Sequence, residues 1–146
     1  MPIWKRSADL ETVNGWSART RMRALDIRIT EIGDDYLRGT MPVDDRTRQP
    51  YGILHGGASV ALAETLGSTA AMLCCDDGFA AVGLDINANH LRAVREGTVT
   101  GTARPLHIGR STQVWEIRIE NAAGALTCTS RLTMAVVPQR AVMPRP

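Results

Sequence analysis

The chain has 146 residues, 44% of them apolar and 22% charged, with a formal net charge of +2. That length suits one domain with a substantial core and excludes two ordinary ones. So small a charge excludes a nucleic-acid binder that works through a bulk basic field. The three cysteines, adjacent Cys74 and Cys75 plus Cys128, give neither a disulfide framework nor zinc-ligand spacing. The first residues, MPIWKRSADLE, lack the apolar core of a signal peptide. The longest weakly charged stretch, Gln49 to Cys75, carries Ser, Thr, Gly and Glu64, which argues against a membrane span. A reduced, cytoplasmic protein is the expectation.

Taken in chain order, a short helix is predicted near Ala8, with Leu10, Val13 and Trp16 on one stripe and Asn14-Gly15 ending it. Leu25 to Thr30 alternates apolar and polar residues, the period of a strand. Gly33-Asp34-Asp35 turns the chain, and Tyr36 to Val43 returns as the second arm of a hairpin. Asp44 to Tyr51 reads as a polar loop. A long helix is predicted from Gly57 to Cys75, apolar on almost every side and therefore buried. Four strands follow: Ala80 to Leu91, Gly97 to Leu106, Gln113 to Glu120 and Ala125 to Val137, the last two joined by a turn at Asn121 to Gly124. This order predicts an α+β domain over residues 1–137, one antiparallel sheet wrapped on one helix. The Pro- and Arg-rich residues 138–146 are expected to be a flexible tail.

Two features of the long helix carry chemistry. Glu64 is the only Asp, Glu, Lys or Arg between Arg48 and Asp76. A carboxylate in so apolar a segment either lies on a partly exposed face or is held for a function. His55-Gly56-Gly57 stands at the helix entry, where glycines let a ligand approach the backbone and the first N–H groups lack helical partners. Such amides can stabilise a developing oxyanion. Ser68 follows Glu64 at i+4 on the same face. Its alternative role is packing or a bond back to the preceding turn. Gln49 offers an amide that both donates and accepts.

The segment Gln49-Pro-Tyr-Gly-Ile-Leu-His-Gly-Gly-Ala58 followed by Ala63-Glu64, with the acid nine residues after the histidine, resembles the signature of hotdog-fold acyl-CoA thioesterases. The resemblance runs from Trp4 to Val137 and is closest to the phenylacetate-thioesterase-like branch. Within that branch, VGLDINANHLRAVREG, PLHIGRSTQVWEI and TSRLT look like stretches of 1,4-dihydroxy-2-naphthoyl-CoA hydrolases and enterobactin proofreading thioesterases.

The resemblance implies a hotdog fold, a long helix held in a curved antiparallel sheet. It implies homodimers with active sites at the interface, pairing again into tetramers, and no cofactor and no metal. It makes Glu64 the catalytic carboxylate, as nucleophile or as general base for water. It makes the Gly56 N–H the oxyanion donor, with His55 orienting the thioester and Gln49 and Ser68 completing the site. The same likeness assigns Gly83, the stretch His90-Leu91-Arg92 with Arg95 nearby, and the loop His107 to Thr112 (with Gly109, Arg110 and Ser111) to the CoA moiety. The implied partner is an acyl-CoA carrying an aryl group, or an acyl-carrier-protein thioester, with no nucleic acid and no membrane. An enoyl-thioester hydratase and a non-catalytic acyl-CoA-binding protein are the rival readings.

Overall fold

Asp9 opens the first helix, α1 (Leu10–Gly15), by accepting a hydrogen bond from the Thr12 N–H at 2.7 Å. A computed structural model describes residues 1–144 of the chain. Of the predicted stripe on α1 only Val13 is buried, while Leu10 and Trp16 remain exposed. The helix is docked instead by Asn14, whose side chain accepts from the Ile29 N–H at 2.8 Å and donates to the Ile29 carbonyl at 2.9 Å. A one-turn helix the sequence did not announce, α2 (Arg21–Ala24), follows. It ends where Asp26 adopts a φ of +54°. That turn explains why the first strand, β1 (Arg28–Ile32), starts three residues later than its alternation suggested.

The hairpin closes through β2 (Leu37–Pro42), and the loop after it leads into the long helix α3 (Gly56–Leu73). Strands β3 (Phe79–His90), β4 (Thr98–Ile108), β5 (Thr112–Glu120) and β6 (Leu126–Pro138) complete one antiparallel sheet in the order β1-β2-β4-β5-β6-β3. Pro138 still belongs to β6, and a 3₁₀ turn at Gln139–Ala141 follows, with the Gln139 N–H bonded to the Gly78 carbonyl at 2.8 Å. The last two residues of the expected tail lie outside the described residues.

Helix α3 lies across the sheet, and only one side of it is covered. Leu62, Leu66, Ala70 and Leu73 reach Trp115, Ile117, Ile119 and Leu132 in a common core. Burying each large apolar side chain contributes about 1.5–3 kcal/mol, so this contact holds the helix in place. Leu66 fills the hollow left by two glycines, since a Cβ at either Gly39 or Gly101 would stand 2.6 Å from its methyl carbons. The opposite side, with Ala61, Glu64, Thr65, Ser68 and Thr69, is not buried. The expectation of a helix buried all round is therefore corrected: the side chains away from the sheet are small and hydroxylated, and they line open space.

The N-terminal segment ties down the far end of α3. The N–H groups of Lys5 and Arg6 donate to the Leu73 carbonyl at 2.9 and 3.1 Å. The Arg6 guanidinium bonds the Cys75 and Asp76 carbonyls at 3.1 Å each. These donors satisfy carbonyls that a helix C-terminus leaves unpaired, and the cations suit its negative end. Trp4 stacks on Trp115 with ring centroids 6.3 Å apart and donates to the Gly33 carbonyl.

Candidate active site

His55 is the N-cap of α3. Its Nδ1 accepts from the Gly57 N–H at 2.8 Å. The bond ties the imidazole to the helix entry, with Nδ1 as the acceptor. The ring is anchored from behind, because the His55 N–H bonds the Thr47 carbonyl at 2.8 Å. Beside it, the Gly56 N–H has no hydrogen-bond partner among the described residues. A Cβ on residue 56 would stand 2.9 Å from Nε2 of His90, so the imidazole packs directly on the bare backbone there.

Gly56 opens on a cleft of about 340 Å³ lined also by Gln49, Ser59, His90, Leu91 and Arg92. The Gln49 side-chain oxygen accepts from the Tyr51 N–H, which leaves the amide nitrogen to donate into the cleft. Leu91 is held by the Thr127 carbonyl through its N–H at 2.7 Å. Arg95 lies nearby, its guanidinium bonded to the Tyr51 carbonyl at 3.5 Å. The free Gly56 amide thus shares a cleft with Gln49, His90 and Arg92 at the positive end of a helix, which suits an acyl oxygen and anionic groups attached to it.

Glu64 occupies a different place. It borders a second cavity of about 310 Å³, between the open side of α3 and the α2 segment, together with Ser68. No hydrogen bond or ion pair holds its carboxylate among the described residues. Oε1 lies 3.1 Å from where a Cβ of Gly83 would be, so the carboxylate rests against the backbone of β3. Gly83, which the resemblance gives to the CoA moiety, lies beside the acid within the protomer. Gly56 and Glu64 are eight residues apart on one straight helix, an axial separation of about 12 Å. A single protomer therefore does not bring the Gly56 amide and the Glu64 carboxylate to one thioester.

The loop His107 to Thr112 lies at yet another point. Gly109 and Arg110 border a small crevice with Lys5, Cys74 and Cys75, at the C-terminal end of α3. Within the loop the Gly109 N–H bonds the Thr112 carbonyl at 2.8 Å, and the His107 ring folds over Gly109. The Ser111 carbonyl accepts from the Val136 N–H at 2.9 Å. With α3 about 27 Å long, this loop and the Gly56 cleft stand at opposite ends of the protomer.

The sequence also left residues unassigned. Ser59 and Thr127 border the cleft, and Thr65 and Thr69 border the acid's cavity. The signal for the last two was present: Ala61, Glu64, Thr65, Ser68 and Thr69 recur at the spacing of one helix face. Arg21, Met22 and Ile27 form the cavity's other wall, and nothing in their local pattern marked them.

The six-stranded antiparallel sheet wrapped on α3, with the helix entry on a cleft and an acid on the open side, defines a hotdog fold. The model of the thioesterase superfamily matches residues 51–128. The chain is 53% identical to 1,4-dihydroxy-2-naphthoyl-CoA hydrolase of Escherichia coli over 92% of its length and 99% of that protein's. It is 54% identical to the proofreading thioesterase EntH of Cronobacter turicensis, over 92% and 98%. The crystal structure of thioesterase HI1161 from Haemophilus influenzae superposes with a TM-score of 0.91 at 51% identity, covering 93% of this chain and 95% of that one. The chain belongs to the thioesterase superfamily, and it is a thioester hydrolase. Among the described residues no helix is long and apolar enough to cross a membrane.

Proposed function

We propose that the protein hydrolyses aryl-CoA thioesters at sites shared between two subunits, the Gly56 amide coming from one and Glu64 from the other. The observation that carries this reading is the separation of about 12 Å between the two along one helix. Attack needs the reacting atoms about 3–3.5 Å apart. A second copy related by a two-fold axis supplies the missing half, because each subunit then lends its helix entry to its partner's acid.

The edge strand β3 is the surface that suits this pairing. It runs for 12 residues, pairs among the described residues with β6 alone, and leaves Leu84 62% exposed. A long uncovered edge with unpaired N–H and C=O groups is a template for another strand. Antiparallel pairing of two β3 edges with Gly83 opposite the partner's His90 would set Glu64 beside the partner's Gly56. The same symmetry brings the partner's loop 107–112 toward His90, Leu91 and Arg92, which would let all three CoA-assigned stretches act on one nucleotide. The resemblance carries a further pairing of dimers into tetramers. Three free, buried cysteines agree with a reducing cytoplasm.

In the reaction, the thioester carbonyl accepts from the Gly56 N–H, and its carbon is attacked on the face toward Glu64. Either the carboxylate itself attacks, forming a mixed anhydride that water then opens, or it takes a proton from the attacking water. In both routes the C–S bond breaks, the sulfur leaves and is protonated, and one water is consumed to give a carboxylic acid and CoA. The aryl preference rests on the likeness to the Escherichia coli hydrolase, whose name specifies a dihydroxynaphthoyl thioester. A carrier-protein thioester presents the same reacting bond. Release of free thiol from benzoyl-CoA tests the reading: Glu64→Ala should slow it about 10²–10⁴-fold, whereas equal rates would remove Glu64 from the mechanism.

A further inference from the structure

The cavity beside Glu64 is bordered by an exposed cation, Arg21, that has no partner among the described residues. Its helix side is made of Ala61, Thr65, Ser68 and Thr69, and its other side of Met22, Ile27 and Arg21. Two nearby arginines have their charge engaged within the chain. Arg23 donates to the Ala18 carbonyl at 3.0 Å, and Arg28 pairs with Asp26 at 2.8 Å. The Arg21 guanidinium makes no hydrogen bond and no ion pair among the described residues, not even with Glu64 across the same cavity.

We propose that Arg21 is a specificity-determining residue that selects acyl groups bearing an acidic oxygen, a carboxylate or an acidic phenol, at the end remote from the thioester. The inference rests on the hydrolase reading above. If the thioester carbon meets Glu64, its acyl substituent has this cavity of about 310 Å³ beside it, a volume at the lower end for small-molecule sites. Met22, Ile27 and Ala61, with the methyl groups of Thr65 and Thr69, offer apolar walls to a flat ring. Arg21 belongs to the wall supplied by α2, and the planar fork of N–H donors on such a side chain matches a carboxylate in two parallel bonds. An unsubstituted ring fills the same walls and leaves that fork to water.

The test is a panel of benzoyl-CoA, 4-hydroxybenzoyl-CoA and 4-carboxybenzoyl-CoA with wild type, Arg21→Gln and Arg21→Lys. Wild type should favour 4-carboxybenzoyl-CoA over benzoyl-CoA. Arg21→Gln should lower kcat/KM for the carboxylated substrate about tenfold or more, while benzoyl-CoA stays within about threefold. Arg21→Lys should fall between, since it keeps the charge and loses the fork. The hydroxybenzoyl arm separates a phenol from a carboxylate as the preferred group. An equal fall on all substrates, or no fall on the carboxylated one, would overturn the role of Arg21 while benzoyl-CoA turnover leaves the hydrolase reading standing. Wild-type failure on every acyl-CoA would overturn both.

Discussion

The Glu64 carboxylate rests on Gly83: its Oε1 is 3.1 Å from the place a side chain on that residue would begin. The contact joins the open face of α3 to the edge strand β3, the two surfaces on which the proposed site depends. Gly83→Ala should therefore push the carboxylate aside without unfolding the chain, because the atom that must move is the end of a flexible side chain. A displacement of this kind costs up to about 10²-fold in rate. Steady-state kinetics should show kcat reduced at least tenfold with the thermal midpoint little changed; a fully active variant would mean the acid does not need this placement.

At the helix entry, Gly56→Ala should be equally informative. The added methyl meets His90 at 2.9 Å and crowds the free amide. Loss of one oxyanion donor costs about 10²–10³ in kcat. Circular dichroism should report an intact fold, and thiol release from benzoyl-CoA should fall by about that factor.

Leu66 is a test of the fold alone. It is fully buried over Gly39 and Gly101, on the side of α3 away from Glu64. Leu66→Ala should destabilise the protein by about 2–5 kcal/mol in urea unfolding. Activity measured well below the new midpoint should survive, since the substitution leaves the open face of the helix untouched.

Alkaline pH should also weaken the fold in a predictable direction. Burial pushes the Cys74 thiol up to about 12, with the neighbouring Cys75 adding to the effect, against an ordinary value near 9.0. The unfolded chain therefore loses its proton at a lower pH than the folded one. The stability this thiol contributes is whole below pH 9 and is lost as pH rises toward 12. Cys74→Ala should flatten the fall of the thermal midpoint over that window. At pH 8 none of the three buried thiols should react with a thiol reagent until denaturant is added.

Much of the fold was legible because it depends on periodicity. The alternation of β5 and the long apolar run of α3 read directly, and the two ends of each lie within two residues of their expected places. Helix α2 and the late start of β1 did not read, because both turn on the backbone of one residue, Asp26, whose side chain gives no sign of a positive φ. The site residues read as a motif, but their arrangement did not. Sequence spacing puts Glu64 nine residues after His55, which suggests neighbours, whereas a helix converts that spacing into distance. Arg21 and Met22 reach the acid's cavity only through tertiary folding, which leaves no local trace.

The shared site is tested most directly by mixing two inactive enzymes. Co-expressing equal amounts of Glu64→Ala and Gly56→Ala subunits gives random pairs, in which a site combining an intact amide from one copy with an intact acid from the other arises about one time in four. Thiol release from benzoyl-CoA should then recover to about a quarter of the wild-type rate, far above either variant alone. Activity no greater than the average of the two separate variants would contradict a site built from both subunits.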